Sequence, residues 1–194
     1  MNTFSYVVGA TTELQQYLIL WAIKINEYLN LYYQGDIENA KGTIFFICIA
    51  KVNTLQEALN DPDNYDKFRA VKDNQGLIQA ICLCEIAQLE VDYQTCRGLA
   101  IDTLTNAPWN TITYTQPETK KGAATSLIEE LVCESQRLEL DGILKALVIP
   151  SARDFYEDKG FVETDGSGEM ILTSNAAAMF ILDQEQRKLS QPFD

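Results

Sequence analysis

Residues 119–161, TKKGAATSLIEELVCESQRLELDGILKALVIPSARDFYEDKGF, constrain the fold more than any other part of this chain. From Lys120 onward, Leu127, Ile128, Leu131, Val132 and Leu138 mark one helical face, and Glu129, Glu130, Glu134 and Arg137 mark the other. Asp141-Gly142 closes that helix. Ile143 to Ile149 reads as a buried strand ended by Pro150. Ser151 is expected to cap a short helix that carries Phe155 and Tyr156 and stops at Gly160-Phe161. The order is therefore turn, amphipathic helix, buried strand, short helix.

The preceding residues supply the rest of a sheet. Phe4 to Val8 is expected as a first strand, and Thr11 or Thr12 as the cap of a helix whose stripe is Leu14, Tyr17, Leu18, Trp21, Ile25, Tyr28, Leu29 and Tyr32. Residues 42–52 fit a strand and a buried helix turn equally well. Thr54-Leu55-Gln56-Glu57 has the form of a capping box, which predicts a short helix starting there and ending at Asp61-Pro62-Asp63. Tyr65 to Lys72, Leu77 to Ala87 and Cys96 to Thr105 read as an antiparallel meander, with a turn at Asp73-Asn74-Gln75-Gly76. Residues 106–119 form a loop long enough to suggest a role, with an aromatic, exposed-looking stretch around Trp109. Phe161-Val162-Glu163 and Met170-Ile171-Leu172 predict a hairpin, and Asn175 to Lys188 a terminal helix. With no internal repeat, low-complexity tract or linker, residues 1–194 are expected to form a single domain.

Composition narrows the chemistry. The chain contains no histidine, which excludes Ser-His-Asp and Cys-His catalysis and His-ligated zinc. Any general acid or base must come from Asp, Glu, Tyr, Lys, Cys or water. The five cysteines (Cys48, Cys82, Cys84, Cys96 and Cys133) have no framework spacing and complete no metal cage, so they are expected as buried small groups in a reducing compartment, with no metal site. The net charge of −13 argues against nucleic acid as a partner and favours a cationic or amine-bearing one. The first residues lack a basic segment followed by a long apolar one, and the most apolar run, Thr43 to Ala50, is too short to span a bilayer. The expectation is a cytoplasmic protein without a membrane partner.

Two short segments carry chemistry. Thr119-Lys120-Lys121-Gly122-Ala123-Ala124 precedes a helix, whose first peptide N–H groups lack internal partners and carry partial positive charge. Small residues let a pyrophosphate approach those donors, and the two lysines add charge. The segment is neither a P-loop nor a dinucleotide fingerprint, since it lacks both glycine patterns. Tyr156 offers a phenol whose reference pKa lies somewhat above that of a thiol, which suits an acid for a leaving thiolate.

Together these segments resemble motifs A and B of the GNAT superfamily of N-acetyltransferases. The family's turn, Gln/Arg-x-x-Gly-x-Gly/Ala, is matched by Thr119, Gly122 and Ala124, and its Ala-x-x-Phe/Leu-Tyr-x-x-x-Gly-Phe by Ala152, Phe155, Tyr156, Gly160 and Phe161. Leu104-Thr105-Asn106-Ala107-Pro108 resembles the end of the family's fourth strand. The resemblance covers roughly residues 65–172. It implies an α/β fold with a mixed, mostly antiparallel sheet splayed between strands 4 and 5, flanked by helices, with acetyl-CoA as co-substrate in the gap. Pantetheine would pair with backbone at Leu104, Thr105 and Asn106. The pyrophosphate would sit on Lys120, Lys121, Gly122, Ala123, Ala124 and Thr125, with Thr119, Ser151 and Phe155 beside the cofactor. Thr119 stands where the family uses Gln or Arg, and Ser151 where Asn is common.

The resemblance further implies direct acetyl transfer within a ternary complex, to a primary amine of a small molecule or a protein. Tyr156 is then the general acid, and Asp102 or Glu85 is the base, directly or through water. A non-catalytic acyl-CoA-binding module on the same fold and an acidic protein-interaction domain are the alternatives. A homodimer is left open.

Overall fold

A computed structural model describes residues 4–91, 94–163 and 165–190. Seven strands are hydrogen-bonded in the order β1-β2-β3-β4-β5-β7-β6. They are β1 (Phe4–Val8), β2 (Phe68–Asp73), β3 (Ile78–Val91), β4 (Gln94–Asn106), β5 (Leu144–Leu147), β6 (Val162–Glu163) and β7 (Glu169–Leu172). Five helices accompany them: α1 (Thr12–Tyr32), α2 (Ile44–Ala58), α3 (Ala123–Arg137), α4 (Arg153–Glu157) and α5 (Ser174–Ser190). The described residues fall into two compact units, 4–83 with 103–127 and 84–102 with 128–190.

The first unit is built on α1 and α2. Thr11 caps α1 by accepting the Leu14 N–H at 3.1 Å, and Leu14, Leu18, Trp21, Ile25 and Tyr28 bury one stripe. Thr43 caps α2 in the same way, accepting from Phe46 N–H at 3.1 Å. The ambiguous residues 42–52 are thus helical. No new helix begins at Thr54, contrary to the capping-box expectation: α2 runs through it, and the Thr54 hydroxyl donates back to the Ala50 carbonyl at 3.3 Å. The buried stripe Phe45, Cys48, Ile49, Val52 and Leu55 crosses the position, so packing overrides the local cap signal. The strand expected from Tyr65 begins only at Phe68, because Pro62–Lys67 is a 3-10 turn capped by the Asp61 carboxylate on Asp63 N–H at 3.0 Å.

Residues 107–119 pack onto α1. Trp109 is 1% exposed and meets Trp21 edge-on at 6.2 Å, so the exposed aromatic loop expected around it is in fact core. Tyr114 stacks on Tyr32 at 4.5 Å, and the Gln116 amide donates to the Tyr32 hydroxyl at 3.3 Å. Lys24 lies 3.7 Å from Glu118.

One fully buried side chain ties this loop to the sheet. Gln79 of β3 donates through Nε2 to Asp73 Oδ2 at 2.8 Å and to the Glu118 carbonyl at 3.1 Å. Its Oε1 accepts from Trp109 Nε1 at 2.9 Å and from Asn110 Nδ2 at 2.8 Å. Asn110 passes the constraint on, because its Oδ1 accepts the Lys120 N–H at 2.8 Å.

In the second unit, β4 pairs parallel to β5 over three residues only, Leu99–Leu144, Ala100–Lys145 and Ile101–Ala146, while β4 runs on to Asn106. The parallel register thus covers Leu99–Ile101 and none of the β4 residues beyond it. β5 pairs antiparallel with β7, and β7 with β6, which gives the expected hairpin around Asp165 and Ser167. α3 buries Leu127, Ile128, Leu131 and Val132 as expected, but Glu134 is buried too, and Leu138 lies past the helix end and is exposed. Ser151 caps nothing: it sits in the 3-10 turn Pro150–Ala152, and the residue before α4 is Ala152.

Two stability outcomes follow from this packing. Gly98→Ala places a methyl 2.6 Å from Leu89 Cδ1 and 2.9 Å from the Ile143 carbonyl oxygen. It should cost about 1–3 kcal/mol in urea unfolding, the carbonyl being unable to yield as a side chain would. Gln79→Leu leaves Trp109 Nε1, the Asn110 amide and Asp73 each short of a buried partner. It should cost about 2–4 kcal/mol in the same measurement.

Candidate active site

The turn into α3 has the geometry that its small residues predict. Gly122 has φ +89°, and a Cβ added there would meet nothing within 4 Å. The helix starts with Ser126 N–H on the Gly122 carbonyl at 2.8 Å. Among the described residues no acceptor pairs with the peptide N–H groups of Ala123, Ala124 or Thr125. Three donors at the positive end of a fifteen-residue helix suit an anion. Ala123 and Ala124 are buried and Thr125 is half-buried, while Lys121 is exposed.

Two neighbours of that turn are engaged elsewhere. The Lys120 N–H belongs to Asn110 Oδ1. Thr119 holds the loop: its N–H donates to the Gln116 carbonyl at 3.0 Å, its hydroxyl donates to the Trp109 carbonyl at 2.9 Å, and that hydroxyl accepts the Gln116 N–H at 3.1 Å. The donor set for an anion therefore begins after Lys120.

The free end of β4 lies in the same unit. Leu104 and Thr105 are buried and Asn106 is half-buried. Two of their carbonyls already have partners from α2. Lys51 Nζ donates to the Leu104 carbonyl at 2.7 Å, and Cys48 Sγ to the Asn106 carbonyl at 3.5 Å. Burial pushes the Cys48 thiol up to about 11, against the opposing hydrogen bonds of Thr105 and Thr111, so it stays protonated at neutral pH. Burial also pulls Lys51 below its ordinary range. Neither residue stands out from family motifs. Lys51 nevertheless has a sequence signal, as the single charged residue between Ile44 and Gln56. Gln79 has one too, as a lone amide in the apolar run of β3.

The remaining candidates lie in the second unit. Tyr156 is 6% exposed, with its ring edge-on to Phe155 and to Phe161 at 5.1 Å each. Its carbonyl accepts the N–H groups of Lys159 at 3.0 Å and Phe161 at 3.2 Å, so the Gly160 turn fixes the residue from behind. Phe155 is half-buried, with the Lys159 ammonium 4.1 Å from its ring centroid. Asp102 on β4 and Glu85 on β3 are exposed carboxylates, and Ser151 is exposed. A groove of about 390 Å³ in this unit is bordered by Gln88, Arg97, Glu139 and Asp141 and by none of the candidates. Among the described residues no group of His, Cys, Asp or Glu could hold a metal ion, and no helix is long and apolar enough to cross a membrane.

No protein-family model and no curated protein matches this sequence. Solved structures do match its fold. A GCN5-related N-acetyltransferase from Anabaena variabilis superposes with a TM-score of 0.52 at 13% identity, over 84% of this chain and 32% of that one. This chain thus spans about a third of that protein's length. An acetyltransferase of the GNAT family from Listeria monocytogenes gives 0.51 at 10% identity, over 87% and 92% of the two chains. A variant of the AtaT toxin bound to the C-terminus of the antitoxin AtaR gives 0.51 at 9% identity, over 92% and 96%. With its mixed sheet, its one parallel pair at β4 and β5 and its flanking helices, the chain has the GNAT fold.

Proposed function

We propose that this chain transfers an acetyl group from acetyl-CoA directly to a primary amine of a small molecule, a peptide N-terminus or a lysine. The observation that carries the reading is the β4–β5 pair that stops at Ile101–Ala146 while β4 continues to Asn106, in a fold whose solved examples are named acetyltransferases. The unpaired donors of Ala123, Ala124 and Thr125 support diphosphate binding, with Lys120 and Lys121 adding charge. Leu104, Thr105 and Asn106 are the backbone proposed to meet the pantetheine, and Phe155 and Ser151 the residues beside the cofactor.

The step balances as follows. The neutral amine attacks the thioester carbon, a C–N bond forms, and the carbonyl π pair moves to oxygen. Collapse of that oxyanion breaks the C–S bond. Tyr156 protonates the departing thiolate, and Asp102 or Glu85, directly or through water, takes the proton from nitrogen. The products are an amide and the free thiol. A net charge of −13 supports an acceptor that is cationic in solution rather than a nucleic acid, and five cysteines outside any disulfide among the described residues support a reducing, cytoplasmic setting.

A binding module without turnover is the second reading, favoured by one observation: Thr119, where the family carries a larger polar residue, has its hydroxyl engaged within the loop.

Titration calorimetry with acetyl-CoA should show one site in the wild-type protein, and Gly122→Glu should lose it while keeping the far-ultraviolet circular dichroism spectrum. No binding by folded wild type would reject both readings. In an amine screen, Tyr156→Phe should lower kcat by about 10²-fold with the Kd for acetyl-CoA little changed. Binding without turnover on every amine would select the module.

A further inference from the structure

α2 presents a half-buried cation to the end of β4. Lys51 Nζ sits 2.7 Å from the Leu104 carbonyl, three residues beyond the last β4 residue paired with β5. Among the described residues no carboxylate forms an ion pair with it, although the chain carries 28 acidic residues against 15 basic ones. Cys48, the titratable group that acts on it electrostatically, is a protonated thiol and supplies no counter-charge at neutral pH. Taking an ammonium partly out of water without a counter-ion is unfavourable by the desolvation argument. Holding one carbonyl does not require that: a neutral amide or hydroxyl would donate the same bond at a far smaller desolvation cost. A positive charge kept at such a place is suited to negative charge that arrives only during use.

We propose that Lys51 is a catalytic residue of this site, its ammonium stabilising the oxyanion that forms on the thioester oxygen when the acceptor attacks. The assignment rests on the acetyl-CoA reading above and deepens it. The Leu104 carbonyl anchors the flexible side chain, so the charge is in position before the reaction. Cys48, one turn earlier, fastens the Asn106 carbonyl, so the same helix holds both ends of the segment. The ammonium gives up no proton in this step. It lowers the energy of the charge-separated intermediate, and the proton transfers remain with Tyr156 and the base. Activity therefore needs Lys51 charged. Burial lowers its pKa, so the ammonium is lost, and turnover falls, as pH rises through that lowered value.

The test uses the full chain, acetyl-CoA, and thiol release with a primary amine or with water as acceptor, since hydrolysis passes through the same oxyanion. Lys51→Met should lower thiol release by about 10²-fold with both acceptors, with the Kd for acetyl-CoA within about threefold of wild type. Lys51→Arg should restore most of the rate and move the alkaline limb of the pH profile upward. A Lys51→Met protein within about twofold of wild-type release would overturn the role, as would a loss confined to acetyl-CoA affinity. If Lys51→Met does not fold, the arginine variant decides, and an unmoved alkaline limb overturns the proposal. Wild type that binds acetyl-CoA but releases no thiol with either acceptor removes this role and leaves the binding module. Wild type that binds no acetyl-CoA removes the parent reading itself.

Discussion

The amide of Gln79 is the constraint on which the loop before α3 depends. A side-chain amide has two donor hydrogens and two acceptor directions, and here all four are used: Asp73 and the Glu118 carbonyl on nitrogen, Trp109 and Asn110 on oxygen. Reversing the amide would set N–H against N–H on one side and oxygen against oxygen on the other, so the network fixes one orientation. Its backbone carbonyl also accepts the Ala107 N–H at 2.9 Å. A single residue of β3 thereby sets where the chain leaves β4, where Trp109 enters the core, and, through Asn110, where Lys120 begins the turn into α3. Such networks are rigid when complete and costly when broken. This explains how a thirteen-residue stretch without regular structure for most of its length delivers a helix N-terminus to a defined place.

Much of the fold was legible because local and global signals agreed. The α1 stripe, the Thr11 cap, the Asp73–Gly76 turn and the β6–β7 hairpin each combine one period with one turn chemistry, and each is found. The errors fall where tertiary packing outweighs a local cue. Thr54-Leu55-Gln56-Glu57 has the residues of a capping box, but the buried stripe continues through it. Trp109 lies among prolines, threonines and asparagines, so polarity suggested exposure, whereas a partner for its indole N–H sits thirty residues away at Gln79. Gln79 itself could be noticed as polar in an apolar strand, but not which four groups it would serve, since they come from residues 73, 109, 110 and 118. The short helix that carries Phe155 and Tyr156 was legible, with its turn at Gly160-Phe161, because both signals lie within a few residues of chain. Lys51 was not, because its meaning depends on a strand more than fifty residues later.

Charge is distributed against the overall trend. A chain of net −13 half-buries Lys51 with no carboxylate ion-paired to it among the described residues, and leaves Asp102 and Glu85 exposed on their strands. Exposed carboxylates are inexpensive and easily screened, while a buried cation is neither. If the acidic surface served only solubility, nothing would require this inversion. It is coherent under the proposed reading, in which the acidic surface attracts a protonated amine and the half-buried cation meets the charge that develops after the amine has lost its proton.

Thr119 gives the last step in this reasoning. Where the resembling family carries a long polar side chain able to reach a phosphate, this chain has a short hydroxyl committed to the Trp109 carbonyl and the Gln116 N–H. In this chain the residue closes the loop. Any diphosphate held here would then rely on the peptide donors of Ala123, Ala124 and Thr125 and on the charge of Lys120 and Lys121. Peptide donors are fixed by the helix and keep their geometry, but they bring only partial charges. Affinity for the anion should accordingly be more sensitive to ionic strength than in a site with a bidentate arginine, because what Lys120 and Lys121 add is screened by salt. The loop network around Gln79 compensates structurally rather than electrostatically: it fixes the donors in place without adding charge to them.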